Sequence, residues 1–137
     1  MSYLRAFPLM ALPAIVYALF ALPLGVDAMR AGLAAPAFTL SMASHAQLVF
    51  TRGHLMTIFA IMCLFLEVAR STRPTGTALV ENSFSVLLFI LMLIAFLLGP
   101  AFATGEFFLI MLMCLLAFMS GATVMLFTAR RTVEYDH

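Results

Sequence analysis

The sequence predicts an all-α membrane protein, a bundle of four transmembrane helices with a small extracytoplasmic β-hairpin between helices 1 and 2. Three observations carry this. Four apolar runs, each close to the roughly 20 residues needed to cross hydrocarbon, alternate with polar links. The 137 residues are 65% hydrophobic and only 9% charged, whereas soluble domains carry about 25% charged residues. No water-soluble core of this size hides so much apolar surface, so the surrounding solvent is a lipid bilayer. Between the first two runs the apolar spacing switches to a period of two. The whole chain, residues 1–137, reads as one integral membrane domain. Its net charge of +1 leaves no basic surface for nucleic acid.

The first helix is expected over about 7–26, FPLMALPAIVYALFALPLGV. Pro8 suits a first helical turn. Pro13 removes one internal hydrogen bond and should bend the helix early. Ala11, Ala14, Ala18, Ala21 and Gly25 recur at spacings of three and four. They form a stripe of small residues that lets another helix approach closely in lipid, although alanine is also simply abundant here. A single Arg5 precedes the run, and Leu22-Pro23-Leu24-Gly25 lacks a clean small-x-small cleavage site. The run therefore reads as a retained helix rather than a signal peptide. Asp27 and Arg30 mark the exit into water.

The hairpin is expected over about 37–51. Phe38, Leu40 and Met42 alternate with Thr39 and Ser41. Beyond the polar turn Ser44-His45-Ala46, Leu48 and Phe50 alternate with Val49 and Thr51. Alternation around a short turn is the hairpin pattern; a short interfacial helix is the alternative. An isolated hairpin is marginal in water, so this one should lie on the helix ends or the membrane surface.

The second helix should cover about 54–70, with Thr51 as its N-cap. The third should cover about 78–98, ended by Gly99-Pro100. The link that follows is short, which makes helices three and four antiparallel neighbours. The fourth should run over about 106–131. Glu106 suits its N-terminal dipole, and Arg130 and Arg131 its C-terminus. Ala117 and Gly121 form a second small-xxx-small pair. The pair from His54 to Leu98, joined through a turn carrying Pro74 and Gly76, is expected to be the centre around which the other helices are arranged.

Four spans put both termini on one side. Arg5, Arg70, Arg73, Arg130 and Arg131 then oppose Arg30 and Arg52. The positive-inside rule makes this a multi-pass protein with both termini and the central turn cytoplasmic. Cys63 and Cys114 fall inside apolar runs and read as buried, reduced thiols.

The residues that could carry chemistry are few. Glu67 and Arg70 share a helix face, with Ala60 and Cys63 on the same stripe. Glu81 and Ser85 share a face of the third helix, with Asn82 beside them. An antiparallel pairing of helices two and three brings both carboxylates to similar depth near the cytoplasmic ends. Burying either costs about 2.5–3.5 kcal/mol at mid-membrane and less near the ends. One reading is a proton- or cation-linked site. The plainer one is a polar cluster of Glu67, Arg70, Arg73, Glu81, Asn82 and Arg130 that locks the helix ends. His45 and His54 lie toward the outer side, where facing haem ligands are not expected, and no Cys or His cluster has zinc spacing. The methionines spread around their helices and suit adaptable packing better than a copper path. No catalytic motif is present. Small dual-topology exporters need a charge near mid-span, which this chain lacks.

The stretches FTLSMASHAQLVFTRGHL, LFLEVARSTRPTGTALVENSFSVLLFILMLIAFLL and FTARRTVEYD resemble a group of small four-span integral membrane proteins of proteobacteria. The resemblance covers roughly residues 36–135. It implies the fold and a bacterial inner membrane, and no mechanism.

The function expected is a non-catalytic accessory or scaffold subunit of a larger membrane complex, or of a self-assembly. It needs no cofactor and has the lipid bilayer and other integral membrane subunits, or itself, as partners. The Ala stripe of the first helix is one candidate contact face. The alternative is a small transporter or channel using Glu67, Glu81 and Asn82. A weaker one is a quinone- or haem-binding subunit.

Overall fold

The structure is a computed structural model that describes residues 6–72 and 78–135. It holds four helices long and apolar enough to cross a membrane, together with one two-stranded antiparallel sheet. In order these are α1 (Ala11–Ala34), β1 (Pro36–Ser41), β2 (Gln47–Thr51), α2 (Arg52–Ser71), α3 (Ala78–Leu98) and α4 (Gly105–Tyr135), with a 3-10 turn at Pro100–Phe102 before α4.

Helix α1 departs from the expected 7–26 at both ends. Two turn-type hydrogen bonds, Ala11 N–H to the Pro8 carbonyl and Leu12 N–H to the Leu9 carbonyl, precede it. Pro8 therefore lies ahead of the helix. Pro13 falls in the first turn, where its missing N–H has no intrahelical partner to lose, so it does not bend the helix. The break comes at Gly25, at φ 79° and ψ −178°. Only glycine adopts that backbone readily. Pro23, also without an N–H, weakens the helix just ahead of it. Beyond Gly25 the helix resumes to Ala34, so Asp27 and Arg30 sit on a helix rather than in a loop. Length explains the break. Gly25 lies 14 residues beyond the first residue of α1, about 21 Å at 1.5 Å per residue. Gly53 and Glu67 of the neighbouring α2 are separated by the same number of residues. Gly25 thus reaches the depth of the start of α2, where a straight α1 would leave the bundle. The resumed segment instead sets Met29 and Leu33 into the core.

The hairpin forms with Phe38 opposite Phe50, Thr39 opposite Val49, Leu40 opposite Leu48 and Ser41 opposite Gln47, with an irregularity at Ala37. Met42 and His45 close the turn through Met42 N–H to the Ala46 carbonyl at 2.9 Å and His45 N–H to the Met42 carbonyl at 3.0 Å. His45 takes a left-handed φ of 64°. Residues from Pro36 to Val49 are exposed, so the hairpin does not lie over the helix ends. It is tied at its base, where Arg52 N–H donates to the Ala35 carbonyl at 3.0 Å.

The bundle order corrects the expectation that α2 and α3 form its centre. Helix α4 packs against both α2 and α3, while α1 packs against α2 and the 3-10 turn. Among the described residues α2 and α3 scarcely touch, because α4 lies between them. The buried residues of α4, Phe107, Ile110, Met111, Met113, Cys114 and Ala117, accordingly supply much of the core. Helix α3 is peripheral and buries only Ser85 and Met92.

Candidate functional site

Glu67 is buried, on the same face as buried Ala60 and Cys63. Its Oε2 accepts the Leu9 N–H at 2.7 Å. The Arg70 guanidinium donates to both Glu67 oxygens at 3.1 and 3.2 Å and, through the same Nη2, to the Phe7 carbonyl at 3.0 Å. Glu67 and Arg70 therefore grip the backbone that leads into α1. The free N–H groups ahead of a helix need acceptors, and a carboxylate suits the positive end of the dipole.

Asn82 belongs to a different contact. A Cβ added at Gly121 would lie 2.9 Å from Asn82 Oδ1, so the two helices approach closely there. One step along the same seam the Cys114 thiol donates to the Ser85 carbonyl at 3.7 Å. Ala117 lies between these two contacts. Glu81, half-buried, lies in the first turn of α3. Arg130 is exposed and makes no ion pair with Glu67; α4 continues past it to Tyr135. Arg73 lies outside the described residues, as do Arg5 and the turn with Pro74 and Gly76. Glu67 thus holds the α1 entry, while Asn82 lies beside Gly121 at the α3–α4 seam.

Of the small-residue stripe in α1, Ala11, Ala14 and Ala21 are buried, Ala18 is half-buried and Gly25 is exposed. The protein's own helices cover its buried part. Tyr17, fully buried beside this stripe, is a residue the sequence reading missed. Its hydroxyl donates to the Ala101 carbonyl at 3.0 Å and pairs with the Thr104 hydroxyl. Thr104 Oγ1 also accepts the Phe107 N–H at 3.3 Å, capping α4. One proton per group fixes the order of the relay: Phe107 N–H to Thr104, Thr104 to Tyr17, Tyr17 to the Ala101 carbonyl. The Tyr17 ring packs on Phe102 and Phe107 with centroids 5.7 and 5.0 Å away. A tyrosine inside an otherwise apolar run, and a threonine just ahead of one, are the sequence signals for this arrangement.

On the hairpin side, Thr51 caps α2 as expected, and the partner that completes the capping box is His54. His54 N–H donates to Thr51 Oγ1 at 3.2 Å, and Thr51 N–H donates to His54 Nδ1 at 3.1 Å. Gly53 lies so close to the Glu106 carboxylate that a side chain at Gly53 would collide with it. Glu106, in the first turn of α4, thus lies beside the first turn of α2. Two cavities open here. A polar one of about 460 Å³ is lined by Arg30, Thr51, His54, Thr104 and Glu106 among others. An apolar one of about 440 Å³ lies between α1 and α2, with Arg52 at its rim. Among the described residues no three His, Cys, Asp or Glu side chains converge as a metal site would require.

No protein-family model matches this chain, and neither a curated protein nor a solved structure proves similar to it.

Proposed function

We propose that the chain is a non-catalytic accessory or scaffold subunit of a larger bacterial inner-membrane assembly, or of an assembly with itself. It supplies helix-packing surface rather than chemistry. One observation carries this reading: among the described residues, every buried polar side-chain atom already has a hydrogen-bond partner. Carriers and membrane enzymes place intramembrane polar groups where a substrate can reach them. Here Glu67 is engaged by Leu9 and Arg70, Tyr17 by Ala101 and Thr104, and the Ser85 hydroxyl by the Glu81 carbonyl at 3.2 Å.

The buried part of the Ala stripe is covered internally, so a partner would meet another face. Helix α3 offers the most extensive one. Leu87, Ile90, Leu91 and Ile94 are each roughly half exposed along it. In lipid such a face associates by van der Waals packing rather than by the hydrophobic effect. The arginine distribution supports a cytoplasmic side for both termini.

The deciding experiment extracts the tagged full chain from its native membranes in mild detergent, cross-links it, and reconstitutes the purified material in vesicles. The reading expects a fixed stoichiometry with another integral membrane subunit or with itself, and no proton or cation flux. A monomer that conducts a specific flux would overturn it.

A further inference from the structure

We propose that the apolar groove between α1 and α2 binds one anionic glycerophospholipid, with an acyl chain in the groove and the phosphate at Arg52. The groove exists because α1 breaks at Gly25. Its first half supplies one wall, including Val16, Phe20 and Leu24. The resumed segment supplies Met29, Gly32 and Leu33, and α2 closes the other side with Leu55, Met56 and Phe59. The volume of about 440 Å³ lies within the roughly 300–1,000 Å³ of small-molecule sites.

Polarity runs along the groove in one direction. Arg52 is the first residue of α2 and so stands at the hairpin-side end. Leu55, Met56 and Phe59 follow within two helical turns, about 10 Å deeper. Tyr17 also lines the groove, but its hydroxyl is committed to Ala101 and Thr104. The wall is therefore hydrocarbon below and a single cation above, which is the profile of a lipid with its headgroup at the membrane boundary. Phe20 and Leu24 are 58% and 50% exposed, so the groove opens toward the surrounding bilayer.

Charge decides the headgroup. Arg52 makes no ion pair with a described residue, and no carboxylate lines the groove. Glu106 lines the neighbouring polar cavity, together with Arg30 and His54. A guanidinium fork matches phosphate geometry and is always charged. A cation held at the membrane boundary favours an anionic lipid over a zwitterionic one by about five-fold.

Native mass spectrometry of the detergent-purified full chain tests this, with phosphatidylglycerol or phosphatidylcholine of equal chain length added. The wild type should retain one lipid and prefer phosphatidylglycerol by about five-fold. Arg52→Gln should bind both lipids equally. Gly32→Leu should lose the adduct with both. A Cβ at Gly32 meets nothing within 4 Å, so the leucine enters open groove rather than packed structure; unchanged circular dichroism confirms the fold. Equal binding of the two lipids by the wild type overturns the proposal. So does a preference that survives Arg52→Gln, or an adduct that survives Gly32→Leu.

Discussion

The Leu9 amide donates to Glu67 Oε2 at 2.7 Å across 58 residues of sequence. With Arg70 bound to both Glu67 and the Phe7 carbonyl, this contact fixes where α1 starts against where α2 ends. An intramembrane carboxylate is usually suspected of moving protons. This one holds backbone, and the acceptor it offers Leu9 would otherwise have to come from water.

The first prediction concerns that contact. Glu67→Gln keeps a carbonyl oxygen for Leu9 but loses the charge that Arg70 needs. Glu67 is 8% and Arg70 28% exposed at the side chain, between the buried and surface extremes. The loss should cost about 1–3 kcal/mol, near the range for a hydrogen bond to a charged group. It should lower the thermal midpoint in detergent by several degrees. Glu67→Ala should cost more, since Leu9 also loses its acceptor. If Glu67→Gln instead folds normally and abolishes a pH-dependent flux that the wild type carries, the structural role assigned to Glu67 is wrong.

The hairpin and the existence of four helices were legible because period-two alternation and long apolar runs are local signals. The Thr51 cap was local too. Helix order was not legible. A sequence in lipid shows apolar residues on every face of a span, so periodicity cannot say that α4 rather than α3 lies against α2. The break at Gly25 was hidden by the small-residue stripe that the same glycine completes in sequence. The Glu67 contact was half legible: Arg70 is three residues away, whereas a backbone amide such as that of Leu9 carries no mark in sequence. The Asn82–Gly121 approach illustrates the same limit. The Ala117-xxx-Gly121 spacing marks Gly121 as a packing residue, but nothing local names its neighbour.

That approach gives a second prediction. A Cβ at Gly121 would press on Asn82 Oδ1, the end of a rotatable side chain. Gly121→Ala should therefore be close to neutral, whereas Gly121→Leu should cost about 1–3 kcal/mol by overpacking. Combining Gly121→Leu with Asn82→Ala should recover part of the loss, a positive coupling in a double-mutant cycle. Strict additivity of the two substitutions would place the residues apart.

Tyr17→Phe isolates the hydroxyl relay. The ring contacts with Phe102 and Phe107 remain, while the Ala101 carbonyl and Thr104 each lose a partner. The expected loss is about 0.5–1.5 kcal/mol. Thr104→Val should cost as much or more, because it also removes the cap on Phe107 N–H. Equal stability of wild type and Tyr17→Phe would show the relay to be energetically idle.

Cys114 is fully buried and Cys63 is 5% exposed. A membrane-impermeant maleimide should leave both unmodified in intact cells and in detergent micelles, until the protein is unfolded. Labelling of the folded protein within minutes would reveal a water path that the packing does not contain.

Silent native thiols make the topology testable with a single added one. Ser44 lies in the exposed hairpin turn and, unlike His45, has no left-handed φ to constrain its substitution. Ser44→Cys should therefore fold normally. The structure places the hairpin and the start of α2 at one end of the bundle, and the α1 entry with Arg70 at the other. Arginine counts then predict the direction. Arg5, Arg70, Arg73, Arg130 and Arg131 mark one side, against Arg30 and Arg52 on the other. Since arginine-rich loops are retained in the cytoplasm, the impermeant maleimide should label Ser44→Cys in intact cells. Thr72→Cys, at the end of α2, should react only after the membrane is permeabilised. The reverse pattern would invert the protein in its membrane. It would also put Arg52 and its groove in the cytoplasmic leaflet, leaving the helix packing unchanged. Equal labelling of both positions in intact cells would mean that the chain inserts in two orientations, and the five-to-two arginine split would then fail to set direction.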